Sequence, residues 1–152
     1  MICSVKSDVN PLDLRINRKY RDVRKVDPVI TRAFKQLVAD AQKAGEEQGW
    51  VGNLPKDARL KMTFFYTMPH RRADVDGPSK RAQDAVANGL GFNDNRVDIV
   101  TNIRAPVGEP GIVCIVETLS HHVPEPWEVD EDAEWTIGAG ESWPTFVNKD
   151  TE

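Results

Sequence analysis

Eight consecutive residues, Leu60 to Thr67, set Leu60, Met62, Phe64 and Tyr66 on one side of an extended chain and Lys61, Thr63, Phe65 and Thr67 on the other. Side chains alternate faces along a strand, so this segment reads as a strand with one apolar face, stopped at Pro69. A one-faced strand needs a sheet, and the sheet needs a covering layer. Two segments offer that layer. Asp27-Pro28 is a helix start, with Asp as N-cap and Pro at the first helical position. Ile30, Phe34, Leu37, Val38 and Ala41 then recur at helical spacing up to Gly45. Gly77 to Leu90 reads as a second helix. Leu12 to Ile16 alternates like a half-buried strand, and Ile99–Ala105 and Ile112–Leu119 read as two more, joined by a turn at Val107–Gly111. The expectation is an α+β domain, a mixed β-sheet with two helices packed on it.

The 152 residues are a one-domain length. No apolar run approaches the roughly 20 residues of a membrane span. The N-terminus lacks the basic region and apolar core of a signal peptide, so a cytoplasmic protein is expected. Cys3 and Cys114 form no disulfide framework, and Cys114, inside the run IVCIVETL, reads as a small core residue. The net charge of −4 hides an asymmetry. Residues 121–152 carry nine acids and one base, Lys149, a net −8, which leaves +4 on residues 1–120. A basic body is compatible with nucleic-acid binding. Composition changes after His122, giving a body of residues 1–122 and an acidic tail of 123–152. That tail, with Pro124, Pro126 and Pro144 among Trp127, Trp135 and Trp143, reads as extended or disordered.

The chemistry-bearing residues lie between 74 and 94. Asp74 and Asp76, two apart, share a face just after the strand. Asp76, Lys80 and Asp84, at steps of four, line one stripe of the second helix, with Arg81 on its flank. Ala82, Ala85, Val86 and Leu90 take the side facing the core. Asp94 follows in the turn-like GFNDNRV. A helix antiparallel to the incoming strand, followed by a returning strand, is expected to bring Asp94 toward Asp74. Three carboxylates would suit Mg2+, which is held through one or two carboxylates and substrate oxygens. The same residues have plainer uses. Asp76 serves as an N-cap worth about 1 kcal/mol. Lys80 and Asp84 serve as a surface pair worth about 0.3–0.5 kcal/mol. Asp94 and Asn95 serve as turn residues. Spacing alone leaves both uses open.

The stretch RRADVDGPSKRAQDAVANGLGFNDNRVDIVTNIR resembles the core of the RusA family of Holliday junction resolvases. The shared pattern is an aspartate pair (Asp74, Asp76), a lysine four residues on (Lys80), an Asp-Ala step in a helix (Asp84-Ala85) and a final acid before a strand (Asp94). NRKYR at 17–21 is similar to the family's Asn-Arg-aromatic segment, and the order of elements fits across residues 10–119. The resemblance implies a RusA-like homodimer that nicks opposing strands of four-way DNA junctions with Mg2+, or with Mn2+ as a substitute. Asp74, Asp76 and Asp94 would be the metal ligands. Lys80 would assist the attacking water or the phosphate, and Asp84 would be secondary. A phage or prophage source is compatible with the same analogy. Two departures stand out: Gly77-Pro78 follows Asp76 where the family commonly has Asn, and Asn93 and Asn95 flank Asp94 where acids are frequent.

Candidate DNA contacts are Arg18, Lys19, Arg21, Arg24 and Lys25, with His70, Arg71, Arg72 and Arg81. His121 and His122, adjacent in a strand, would face opposite ways and read as surface residues. No P-loop, Ser/His/Asp or Cys/His arrangement is present. Two alternatives to the resolvase remain: a non-catalytic DNA-binding module of the same fold, and a metal nuclease acting on flaps or other branched DNA. The acidic tail is expected either to be a solvated extension, or to mask the DNA cleft or bind another protein.

Overall fold

The fold is taken from a computed structural model, which describes residues 1–15 and 28–119 and the backbone of two short strands at 134–136 and 145–147. Strand β1 (Ile2–Ser7) is followed by helix α1 (Pro28–Glu47), strand β2 (Leu60–Thr67), helix α2 (Ser79–Leu90), and strands β3 (Val97–Arg104) and β4 (Gly111–Thr118). These four strands form one mixed sheet in the order β1-β4-β2-β3. β4 pairs antiparallel with both β1 and β2, whereas β2 and β3 run parallel. Parallel neighbours need a crossover, and α2 supplies it. The expected α+β architecture, a mixed sheet with two helices, is the one observed.

The alternation in β2 works as anticipated. Leu60, Met62, Phe64 and Tyr66 are fully buried, and their strand neighbours are partly exposed. They join one core with Cys3 and Val5 from β1, Ile112, Cys114 and Val116 from β4, Leu37 and Ala41 from α1, and Ala82, Ala85, Val86 and Leu90 from α2. Gly89 is the point of closest approach between the helices: a Cβ there would stand 2.5 Å from the Val38 carbonyl oxygen and 2.6 Å from the Ala41 Cβ. Gly91, at φ +79°, ends α2 in the left-handed conformation, its N–H donating to the Ala87 carbonyl at 2.9 Å.

Several expectations need correction. Leu12–Ile16 is not a strand. Pro11–Leu14 forms a 3-10 turn because the Asn10 side chain accepts from the Leu12 N–H at 3.0 Å, an Asx-type start that competes with extension. Ile16 lies outside the described residues, as does the proposed N-cap Asp27. The first strand is Ile2–Ser7 instead. α1 runs past Gly45 to Glu47; that glycine is the close-packing point against the Leu90 side chain and not a stop. α2 begins at Ser79, two residues later than expected, because Pro78 occupies the cap. The tail is not wholly irregular: β5 (Glu134–Thr136) and β6 (Thr145–Val147) pair antiparallel. The chain divides into two units, Met1–Ser120 and His121–Glu152. No helix among the described residues is long and apolar enough to cross a membrane.

Candidate functional site

Asp74 and Asp76 sit in the loop between β2 and α2, at the C-terminal end of β2. Crevices at the carboxyl ends of parallel strands are where open sheets commonly place ligands. The loop closes on itself before the helix, with the Ser79 N–H donating to the Asp76 carbonyl at 3.1 Å. Lys80 follows, and its ammonium lies 3.0 Å from Asp84 Oδ1 and 3.0 Å from Asp94 Oδ2. The first bond is the helical i,i+4 pair read from the sequence. The second draws in a residue fourteen positions away. The hydrogen bonds that Lys80 donates to Asp84 and then to Asp94, reinforced by their charge, raise the Lys80 pKa above its ordinary value. Lys80 is therefore a fixed cation at neutral pH.

The three aspartates are not brought into one group. Among the described residues no cluster of three or more His, Cys, Asp or Glu side chains is placed to hold a metal. Asp94 is engaged instead by Lys80: it follows α2 in the chain, yet its carboxylate meets the ammonium of a residue in the first turn of that helix. The region of Asp94 is held in turn by Arg59, which clasps Asp98 with Nε–Oδ2 at 3.0 Å and Nη2–Oδ1 at 2.6 Å and donates to the Asn95 carbonyl at 2.8 Å.

What β3 does return to the aspartate loop is its own C-terminal end. Arg104 Nη2 donates to the carbonyl of Ala73, the residue before Asp74. Asn102 Nδ2 donates to Ser79 Oγ at 3.1 Å, and Gln83 Nε2 donates to the same oxygen at 2.9 Å. Tyr66, fully buried, donates its hydroxyl to Asn102 Oδ1 at 3.0 Å. Burial pushes the Tyr66 phenol pKa well up; the charges of Cys114 and Asp76 add to that, and the Ser79 hydrogen bond opposes it. None of Tyr66, Asn102 or Arg104 stood out as functional in the sequence. The only available signal was Asn and Arg at alternate positions of a strand otherwise rich in Val and Ile.

No family model matches the chain, and no curated protein matches it.

The proposed DNA contacts divide. Arg18, Lys19, Arg21, Arg24 and Lys25 lie outside the described residues. His70, Arg71 and Arg72 are exposed just before the aspartate loop, and His70 Nδ1 accepts from the Arg72 N–H at 3.3 Å. Arg81 is committed to the protein: its Nη1 donates to the Arg15 carbonyl at 2.6 Å and approaches that of Leu14 at 3.4 Å. It ties α2 to the segment leading into residues 16–27. As for Mg2+, the donor chemistry of the loop is suitable. Asp74 and Asp76 are hard oxygen donors two residues apart, and this ion commonly takes one or two carboxylates and leaves its other positions to water and phosphate.

Proposed function

We propose that this chain is a RusA-like, Mg2+-dependent endonuclease that acts as a homodimer and resolves four-way DNA junctions by paired nicks. The observation that carries the reading is Lys80, held between Asp84 and Asp94 on the exposed face of the helix that follows the Asp74–Asp76 loop. Exposed ion pairs contribute only about 0–1 kcal/mol to stability. A lysine held by two acids from different segments is therefore poorly explained as a device for stability. It is well explained as a charge set in place for a phosphate.

In this reading Asp74 and Asp76 hold Mg2+, whose chemistry when bound is to neutralise phosphate charge and lower the pKa of its water. Lys80, kept protonated, stabilises the charge developing on the phosphate and does not act as a base. Asp84 and Asp94 aim it, so Asp94 is assigned to Lys80 instead of to the metal. Arg71 and Arg72 draw the DNA backbone toward the loop.

One observation favours a second reading, a DNA-binding module without cutting: the absence of a three-carboxylate group among the described residues. A single experiment separates the two. Labelled four-way junction is incubated with the protein and Mg2+, alongside Asp76→Asn. Symmetric nicking by wild type, abolished in the variant, is the expected result. Binding without nicking in Mg2+ and in Mn2+ supports the module and defeats the enzyme. Faster cleavage of a flap than of the junction moves the substrate to other branched DNA.

A further inference from the structure

We propose that Asn102 and Arg104 are positioning residues: together they clamp the two ends of the 73–79 loop and thereby set the geometry of Asp74 and Asp76. The functional half of this inference rests on the nuclease reading, whereas the clamp itself does not. Residues two apart on a strand share a face. Asn102 stands opposite Phe64 and Arg104 opposite Tyr66 in the parallel register, so both face the helix-covered side of the sheet. Because β2 and β3 are parallel, their C-terminal ends emerge at the same edge, beneath the loop that leaves β2.

The two contacts fall at the loop's two ends. Arg104 takes the Ala73 carbonyl in a part-buried hydrogen bond, and Ala73 is itself buried. Asn102 takes the hydroxyl of Ser79, the first residue of α2. That anchor matters because Pro78, in the cap position, offers no side-chain acceptor to the helix start. Tyr66 and Gln83 fix Asn102 and Ser79 respectively from behind. Between the anchors the loop turns back on itself: a Cβ on Gly77 would rest in ordinary contact, 3.5 Å from the Asp74 carbonyl oxygen. Asp74 and Asp76 thus sit on a short bridge pinned at both ends to one strand.

Arg104 is also a poor choice for stability alone. Its Nη1 is buried and has no hydrogen-bond partner among the described residues. A buried donor left without a partner is costly, so it calls for an explanation other than stability.

The test uses the full chain with Asn102→Ala, Asn102→Leu, Arg104→Met and Arg104→Lys. Three quantities are measured: backbone hydrogen exchange without metal, Mn2+ affinity by calorimetry, and junction nicking. Amides of residues 74–79 are expected to exchange faster in Asn102→Ala and Arg104→Met, while those of β4 keep the wild-type rate. Mn2+ affinity is expected to fall by about 10–100-fold, the usual consequence of losing a group that orients a ligand. Arg104→Lys, which keeps a charged donor, should recover most of it. Asn102→Leu, close in size but unable to hydrogen-bond the Ser79 hydroxyl, should behave like Asn102→Ala and replaces it if that variant does not fold. Wild-type exchange in the loop of a folded variant overturns the clamp, as does equal acceleration in β4. Faster loop exchange with unchanged Mn2+ affinity overturns the positioning of the aspartates. If wild type neither binds Mn2+ nor nicks junctions, the nuclease reading fails while hydrogen exchange still decides the clamp.

Discussion

Lys80 donates to carboxylates from two different segments, and its exposure leaves it open to a ligand. Both partners favour the ammonium, so its pKa is raised, first by Asp84 and then by Asp94. For a cationic group the sign is fixed. The stabilisation is fully present below the unfolded lysine pKa of about 10.4 and is lost as pH rises through the higher folded value. Lys80 ionisation should therefore leave no inflection in a pH–rate profile between pH 6 and about pH 9. Lys80→Met should slow nicking at every pH in that range, and Lys80→Arg should keep part of the rate. Asp94→Asn removes the charge of one partner, so the Lys80 pKa should drop toward its ordinary value, as followed by NMR titration of its side-chain carbon. An unchanged titration in Asp94→Asn would mean that the Lys80–Asp94 bond carries no weight in solution.

At the level of elements, α1 and α2 are held together by the absence of a side chain at Gly89. A methyl group there meets a backbone carbonyl, which cannot step aside as a side-chain end can. Gly89→Ala would gain about 1 kcal/mol of helix propensity. Against this, overpacking of a fitted interface costs about 1–3 kcal/mol. The helices would also have to separate along the core face of α2, so net destabilisation is expected, read as a lower Tm in thermal unfolding. Gly108→Ala, where the nearest atom is 3.8 Å away, is the neutral control. These elements also mark what could be read in advance. The period of two in β2 and the helical stripes of α1 and α2 are local patterns, and the Lys80–Asp84 pair is a local spacing. β1 escaped notice because Cys3 and Ser7, two of its inward residues, carry little hydrophobic signal. Leu12 and Leu14 misled because two leucines at alternate positions suit a 3-10 turn as well as a strand. Asn102 and Arg104 could not be placed beside the aspartates without knowing that β2 and β3 are parallel neighbours. The Lys80–Asp94 bond was out of reach for the same reason, because it joins residues fourteen apart through the fold.

Across the whole chain, charge is divided by unit. Residues 121–152 are net −8, and residues 1–120 are net +4. DNA binding by a basic body depends on releasing counterions from phosphates, so it weakens steeply with salt. A covalently attached acidic segment competes with the phosphates at high local concentration and repels the duplex. Deleting residues 121–152 should therefore tighten junction binding at 50 mM salt by about tenfold, equivalent to 1.4 kcal/mol. The gap should shrink by 300 mM salt, as screening shortens the reach of both effects. Fluorescence anisotropy with a labelled junction, in Ca2+ to prevent nicking, gives the two affinities. The deletion brings its own folding control. Of the four tryptophans, Trp127, Trp135 and Trp143 leave with the tail. Trp50 remains, 1% exposed in the core of the body. A blue-shifted emission from that single residue certifies the truncated chain as folded. Equal affinity at low salt, with Trp50 still buried, would show that the tail does not oppose DNA and would leave its acids to serve another partner.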